Sequence, residues 1–313
     1  MKKAFINEAH IEGLLYDTVK LVKKVSGPNS KNPGTEFISG TVCIATDDKL
    51  ENVVNIHYTY VTATTGKGNP NATFAALNKI ITDNPTVLNV GKENAAKVRC
   101  DTSVDLLEWY RETTDEKPVS IVRNEGGFMH IVTALNEDEK VRNTFKTDML
   151  ITNVKDIEAD EDKKIEAHVR VKGAVFNFRK ELKPVEFDVY SKGGMSYFQN
   201  LDASPKHPVF TCVWGREMSK TVVTKSITES AFGEDEVRER TNTTREFVIT
   251  GCSKEPYAFD DESTITAAEL SQLMSDRELY LATLKKSQEE WRQLNAGGSA
   301  AAAPSNDTAG YNF

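Results

Sequence analysis

The sequence predicts a mainly β protein: two small β-barrels in tandem, then a C-terminal helix and a disordered tail. Three observations carry this. Short stretches of alternating apolar and polar residues, rich in Val, Ile, Thr, Tyr and Phe, recur between polar turns. The pattern pauses at the charged run 136–143 and then starts again. After Pro256 the residues become helix formers, and after Leu294 the chain is rich in Gly, Ala and Ser.

In chain order, residues 11–25 mix apolar and polar residues without a helical stripe and belong to an opening run of strands and turns. SGPNSKNPG (26–34) is a loop by its Pro and Gly content. Strands follow at 36–46 and 52–63, separated by DDKLE, and TTGKGNP (64–70) makes a second loop. NATFAALNKIITD (71–83) reads as a short helix with an Asn cap. Strands at 97–112 and 126–135 complete a first barrel domain, 1–135. A second barrel domain, 144–255, takes strands at 144–158, 164–178, 185–191, 208–215 and 244–252. The stretch EDEVRERTNTT (234–244) is a protruding hairpin loop or its flank. The similar order of the halves suggests an internal duplication. Residues 263–294 form a helix with a Ser or Thr cap and a break near Ser275, whose apolar spacing needs a partner surface. Residues 295–313 form the tail and end in Phe313.

A length of 313 residues, 39% hydrophobic and 27% charged, supports one or two cores. The absence of a long apolar run argues against a membrane span, and MKKAFINEAH lacks the apolar core of a secretory signal, so a cytoplasmic setting is expected. Cys43, Cys100, Cys212 and Cys252 lie far apart and read as free buried thiols. The net charge is −8; residues 255–313 hold ten Asp/Glu against four Lys/Arg, so −6 falls there and only −2 remains for the body. Any polyanion site is therefore a local groove.

Catalytic patterns are missing. GKGNP (66–70) lacks the Lys-Ser/Thr of a phosphate loop, the five histidines never sit at metal-ligand spacing, and no G-x-S-x-G occurs. No enzyme, metal or cofactor is expected. What remains is aromatic and basic residues on strands, which suits stacking of bases with cations along phosphates. Tyr58 and Tyr60 share a strand face, and Arg170 and Lys172 share another. Phe178, Arg179 and Lys180 follow the latter closely, and Lys67 lies in the loop after Tyr60. In HPVFTCVWGREMSK (207–220), Trp214 and Arg216 close an alternating strand. Phe210 falls on the same face as Trp214, so assigning Phe210 to packing and Trp214 to ligand requires a twist or bulge near Gly215.

PVFTCVWGREMSKTV resembles the third-strand segment of bacterial-type single-stranded DNA-binding proteins, where an apolar strand ends in an aromatic–Gly–Lys/Arg step. TTREFVITGCSKEPYAF looks like the closing strand of such an oligonucleotide-binding (OB) barrel, and EFISGTVCIATDDKLENVVNIHYTYV is similar to its second-to-third-strand hairpin. The whole resembles a phage-type single-stranded DNA-binding protein with OB folds. The resemblance implies sequence-tolerant binding of single-stranded DNA that protects it in replication or recombination, in the host cytoplasm. It implies Trp214 as a base-stacking aromatic and Arg216 as the adjacent cation. Phe313 would recruit replication or recombination proteins, although this tip keeps only Asp307 as a charge. The first half has Tyr60-Val61-Thr62 where the aromatic–Gly–Lys step would stand. A homo-oligomer is compatible with this reading. The alternative is a phage structural or assembly protein.

Overall fold

The computed structural model describes residues 5–28, 30–112, 114–161, 165–228, 236–259 and 265–296, with residues 220–228, 236–244 and 294–296 described as backbone only. The tail and Phe313 lie outside the described residues. So do 263 and 264, where the sequence places the start of the last helix.

Five strands make a first ring: β1 (Asn7–Val25), β2 (Glu36–Ala45), β3 (Val53–Thr62), β4 (Lys97–Trp109) and β5 (Val119–Val132). β1 pairs with β2 and β4, β2 with β3, and β4 with β5, all antiparallel. The ring is completed by a short parallel contact, Ile56↔Asn124 and His57↔Glu125. Helix α1 (Ala72–Asp83) follows β3, its N-terminus capped by Asn71, which accepts from the amides of Thr73 and Phe74. Leu77 and Ile80 on its inner stripe enter a core with Ile11, Ile56, Val98 and Met129. A short helix α2 (Val87–Val90) leads on toward β4.

The second ring repeats this connectivity with β6 (Asn143–Ile157), β7 (His168–Phe176), β8 (Leu182–Val189), β9 (Val209–Thr228) and β10 (Glu236–Cys252). β6 pairs with β7 and β9, β7 with β8, and β9 with β10, and a parallel contact at Val248↔Asp188 joins β10 to β8. Helix α3 (Lys192–Gln199), capped by Ser191, takes the place of α1 and inserts Phe198 among Phe145, Phe187, Val213 and Phe247. The sequence reading missed α3, because its KGGMSYFQ carries two glycines. Both rings have the strand order of an OB fold, a partly open five-stranded barrel.

The β9–β10 hairpin outgrows its ring. Its pairing runs from Cys252↔Val213 to Glu236↔Thr228, so residues 236–244, read as a protruding loop or its flank, form one arm of a long ribbon. The last helix, α4 (Ala267–Ala296), is continuous through Ser275 rather than broken there. Thr266 and Glu269 form its capping box, each accepting from the other's amide at 3.2 and 3.1 Å. It finds its partner surface on both rings. Near its start, Ile265, Leu270 and Leu273 pack with Phe176 and Phe210. Further along, Arg277 forms a two-pronged ion pair with buried Glu108, and Lys285 donates to the carbonyl of Asp115 at 2.9 Å.

The rings meet along β1–β6 and at a polar joint around Glu217. Asn143 binds both backbone groups of Glu217, and Asn52 donates to its carbonyl at 3.1 Å. Asn124 donates to the Glu217 carboxylate at 2.6 Å, while the Asn124 amide oxygen is buried with no partner among the described residues. Burial pushes the Glu217 carboxyl up to about 7, against weaker opposing pulls from Asn124 and Arg245. A raised carboxyl pKa means the folded state holds its proton longer than the unfolded one. This group's stabilisation is therefore complete below about pH 4.5 and lost as the pH rises through about 7. Glu217→Gln removes the ionisation and is expected to stabilise the protein at pH 8 by on the order of 3 kcal/mol, with no gain at pH 4.5, in urea melts at both pH values.

Candidate nucleic-acid interface

On β9, Val213, Gly215 and Glu217 point inward and Trp214, Arg216 and Met218 point outward. The face shared by Phe210 and Trp214 needs no bulge on β9, whose register with β6 runs unbroken from Val209 to Gly215. One end of the face is covered and the other is bare. Phe210 lies under Phe5, Tyr257 and Phe259, with ring centroids 6.0, 5.1 and 6.3 Å away. Trp214 is 40% exposed. The irregularity sits on β10, between Ile249 and Gly251, and places Gly251 opposite Trp214. A Cβ at Gly251 would come within 2.4 Å of the indole Nε1, so the ring lies against backbone that only glycine leaves clear. Lys146 pairs with Trp214 in register and is exposed. Arg216 has no hydrogen bond or ion pair among the described residues and joins the same patch.

In the first ring the two tyrosines part company. Tyr58 is 1% exposed and its hydroxyl meets the Cys100 thiol at 3.2 Å in the core, which corrects its assignment as a stacking surface. The cause is position along β3. Tyr58 pairs with Gly40 inside the barrel wall, whereas Tyr60 lies past the register shift between Ile38 and Gly40. Tyr60 is 46% exposed, packs on Phe37 at 4.5 Å between ring centroids, and meets the Ser26 hydroxyl at 3.2 Å. The Lys23 ammonium sits 5.9 Å from the Phe74 ring centre nearby, and Lys67 is exposed in the loop that follows β3.

Arg170 and Lys172 are spoken for. Their register partners on β8 are Asp188 and Glu186. Arg170 grips Asp188 with two bonds, at 2.8 and 3.1 Å, and Lys172 binds Glu186 at 2.5 Å. Cations placed opposite carboxylates across a sheet neutralise one another, which corrects the reading of this face as open and positive. Phe178, Arg179 and Lys180 form the β7–β8 turn. Asn177 fixes it by accepting from the amides of Arg179 and Glu181, Phe178 is 75% exposed, and the Arg179 guanidinium lies 5.2 Å from its ring centre.

Among the expected residues the structure leaves three exposed aromatics: Trp214 beside Arg216 on β9, Phe178 beside Arg179 and Lys180 in the β7–β8 turn, and Tyr60 packed on Phe37, while Lys67 is exposed in the loop after β3. Lys146 and Phe37 were missed, because each is recruited by cross-strand register and not by local sequence. Arg245 and Arg123 were missed as well. Both act on His57, which burial first, then these two guanidinium groups, push down to about 4, so its ring is neutral and bonded to the Thr41 hydroxyl at 2.9 Å. All four cysteines are free thiols. Among the described residues no group of three or more His, Cys, Asp or Glu is placed to hold a metal ion, and no helix is long and apolar enough to cross a membrane. Tyr58→Ala is expected to cost about 3–5 kcal/mol of stability in denaturant melts, as removal of a large core side chain does. A variant of wild-type stability would contradict the core assignment.

Solved structures similar to the chain include two from one bacterium. The wild-type single-stranded DNA-binding protein from Thermus aquaticus is 11% identical, with 81% of this chain and 95% of that chain covered and a TM-score of 0.46. A deletion mutant of that protein is 10% identical, with 82% and 98% covered and a TM-score of 0.45. No curated protein matches. The family model described as YorF matches residues 7–287, nearly the whole of both rings and most of α4, and on that match the chain belongs to the YorF family.

Proposed function

We propose that this protein binds single-stranded DNA in a sequence-tolerant manner and protects it during replication or recombination, in the phage setting that the sequence resemblance implies. One observation carries the reading. On an OB ring, Trp214 is backed by the bare backbone at Gly251, is 40% exposed, and is flanked by Lys146 and by Arg216, which has no partner among the described residues. An aromatic ring held this way accepts any base, since every base has a π-face, while the cations follow the phosphates. The Phe178 turn repeats the combination of exposed aromatic and cation elsewhere on the surface, and Tyr60 adds a further exposed ring. The mechanism is binding by stacking and ion pairing, with no bond made or broken. A structural or assembly role has no observation of its own in its favour.

Trp214→Ala is expected to weaken binding to oligo(dT) by about 1–3 kcal/mol, read by fluorescence anisotropy, with an unchanged urea midpoint. Unchanged affinity in a folded variant would remove Trp214 from the interface. Gly251→Ala tests the same platform while leaving the Trp214 residue itself unchanged. It is expected to displace the ring and weaken binding in the same direction.

A further inference from the structure

A second feature lies where the rings face each other. The outer surface of β1–β3 in the first ring and the root of the β9–β10 ribbon enclose a cleft of about 620 Å³. Tyr16, Asp17 and Asn55 line one side, and Ser219 and Arg245 the other. The ribbon is fixed in place here. The Ser219 amide donates to Asn52 Oδ1 at 2.7 Å, and its hydroxyl to the carbonyl of Val53 at 2.7 Å. Arg245, its pairing partner, leans over the cleft with two long bonds, to Val53 O at 3.4 Å and Asn55 Oδ1 at 3.3 Å. Bonds that long are readily exchanged for a ligand's.

We propose that this cleft receives one unstacked base of the bound strand, and that it favours bases carrying an exocyclic amine. The inference rests on the single-stranded DNA reading. The volume falls within the ~300–1,000 Å³ range of small-ligand sites. The charge argues for a base over a phosphate: among the described lining residues Asp17 and Glu51 outnumber the guanidinium of Arg245, which disfavours a phosphodiester there. Those carboxylates and the Asn55 amide accept from amines, Arg245 donates to ring nitrogens or carbonyls, and Tyr16 adds an aromatic side chain to the lining. The floor adds no competing charge, since burial first, then Asp17, push the Cys43 thiol up to about 11.

The test compares oligo(dC), oligo(dA) and oligo(dT) on the full chain, with Asn55→Ala and Asp17→Ala as variants. The wild type is expected to bind oligo(dC) and oligo(dA) about fivefold or more tightly than oligo(dT), and each variant to lose that preference. Quenching of tryptophan fluorescence by oligo(dT) is expected to persist in both. Photo-cross-linking with an oligonucleotide carrying iodinated deoxycytidine is expected to label Tyr16, a readout independent of variant stability. Equal affinity for the three oligonucleotides with no label on Tyr16, while quenching persists, would overturn the base cleft and leave the binding function standing. No quenching by any oligonucleotide would overturn the function itself, and the cleft with it.

Discussion

The arrangement of the molecule depends on β1 belonging to two walls at once. Its first residues pair with β6 on one side and β4 on the other, from Asn7↔Thr147 and Ala9↔Thr102 onward. From Leu14 it pairs with β2 instead. The handover occurs at Gly13, where a Cβ would stand 1.9 Å from the carbonyl oxygen of Ala45. No other residue lets the two strands come that close. Because one strand passes from the second ring's edge into the first ring's wall, the rings are fixed side by side, and the ribbon of one falls across the outer face of the other. The Glu217 joint and the α4 strap hold that relation from two further directions.

This packing also decides which surfaces are free. The β7–β8 face, where OB folds offer a binding surface, spends its cations on its own carboxylates. Open aromatics stand elsewhere instead, among them Tyr60 at the end of β3, Phe178 at the β7–β8 turn and Trp214 on the outer row of β9, with Phe128 on β5 and Trp291 on α4 also exposed. A protein with a net charge of −8 is then consistent with a polyanion ligand, because the contacts are local and the acidic excess lies in the C-terminal residues.

Much of this was legible in the sequence, and the parts that were not share a cause. Alternation located most strands, and the Asn71 cap located α1, because both signals are local. Tyr58 and Tyr60 show the limit. Two residues apart they have the same parity, and only the register with β2 separates core from surface. Arg170 and Lys172 looked free until β8 supplied their partners in register. Phe210 and Trp214 posed a problem within one strand whose answer lay in Phe5, Tyr257 and Phe259, far away in the chain. Cys212 and its neighbours could not reveal that cover. Long-range pairing, not propensity, assigns these residues their roles.

The most direct measurement is a salt series of binding to single-stranded DNA, duplex DNA and single-stranded RNA under identical conditions. Stacking on exposed aromatics beside cations requires unpaired bases, so single-stranded DNA should bind far more tightly than duplex, with log affinity falling linearly as log salt rises. Duplex binding as tight as single-stranded binding, or no binding of single strands at low salt, would contradict the account.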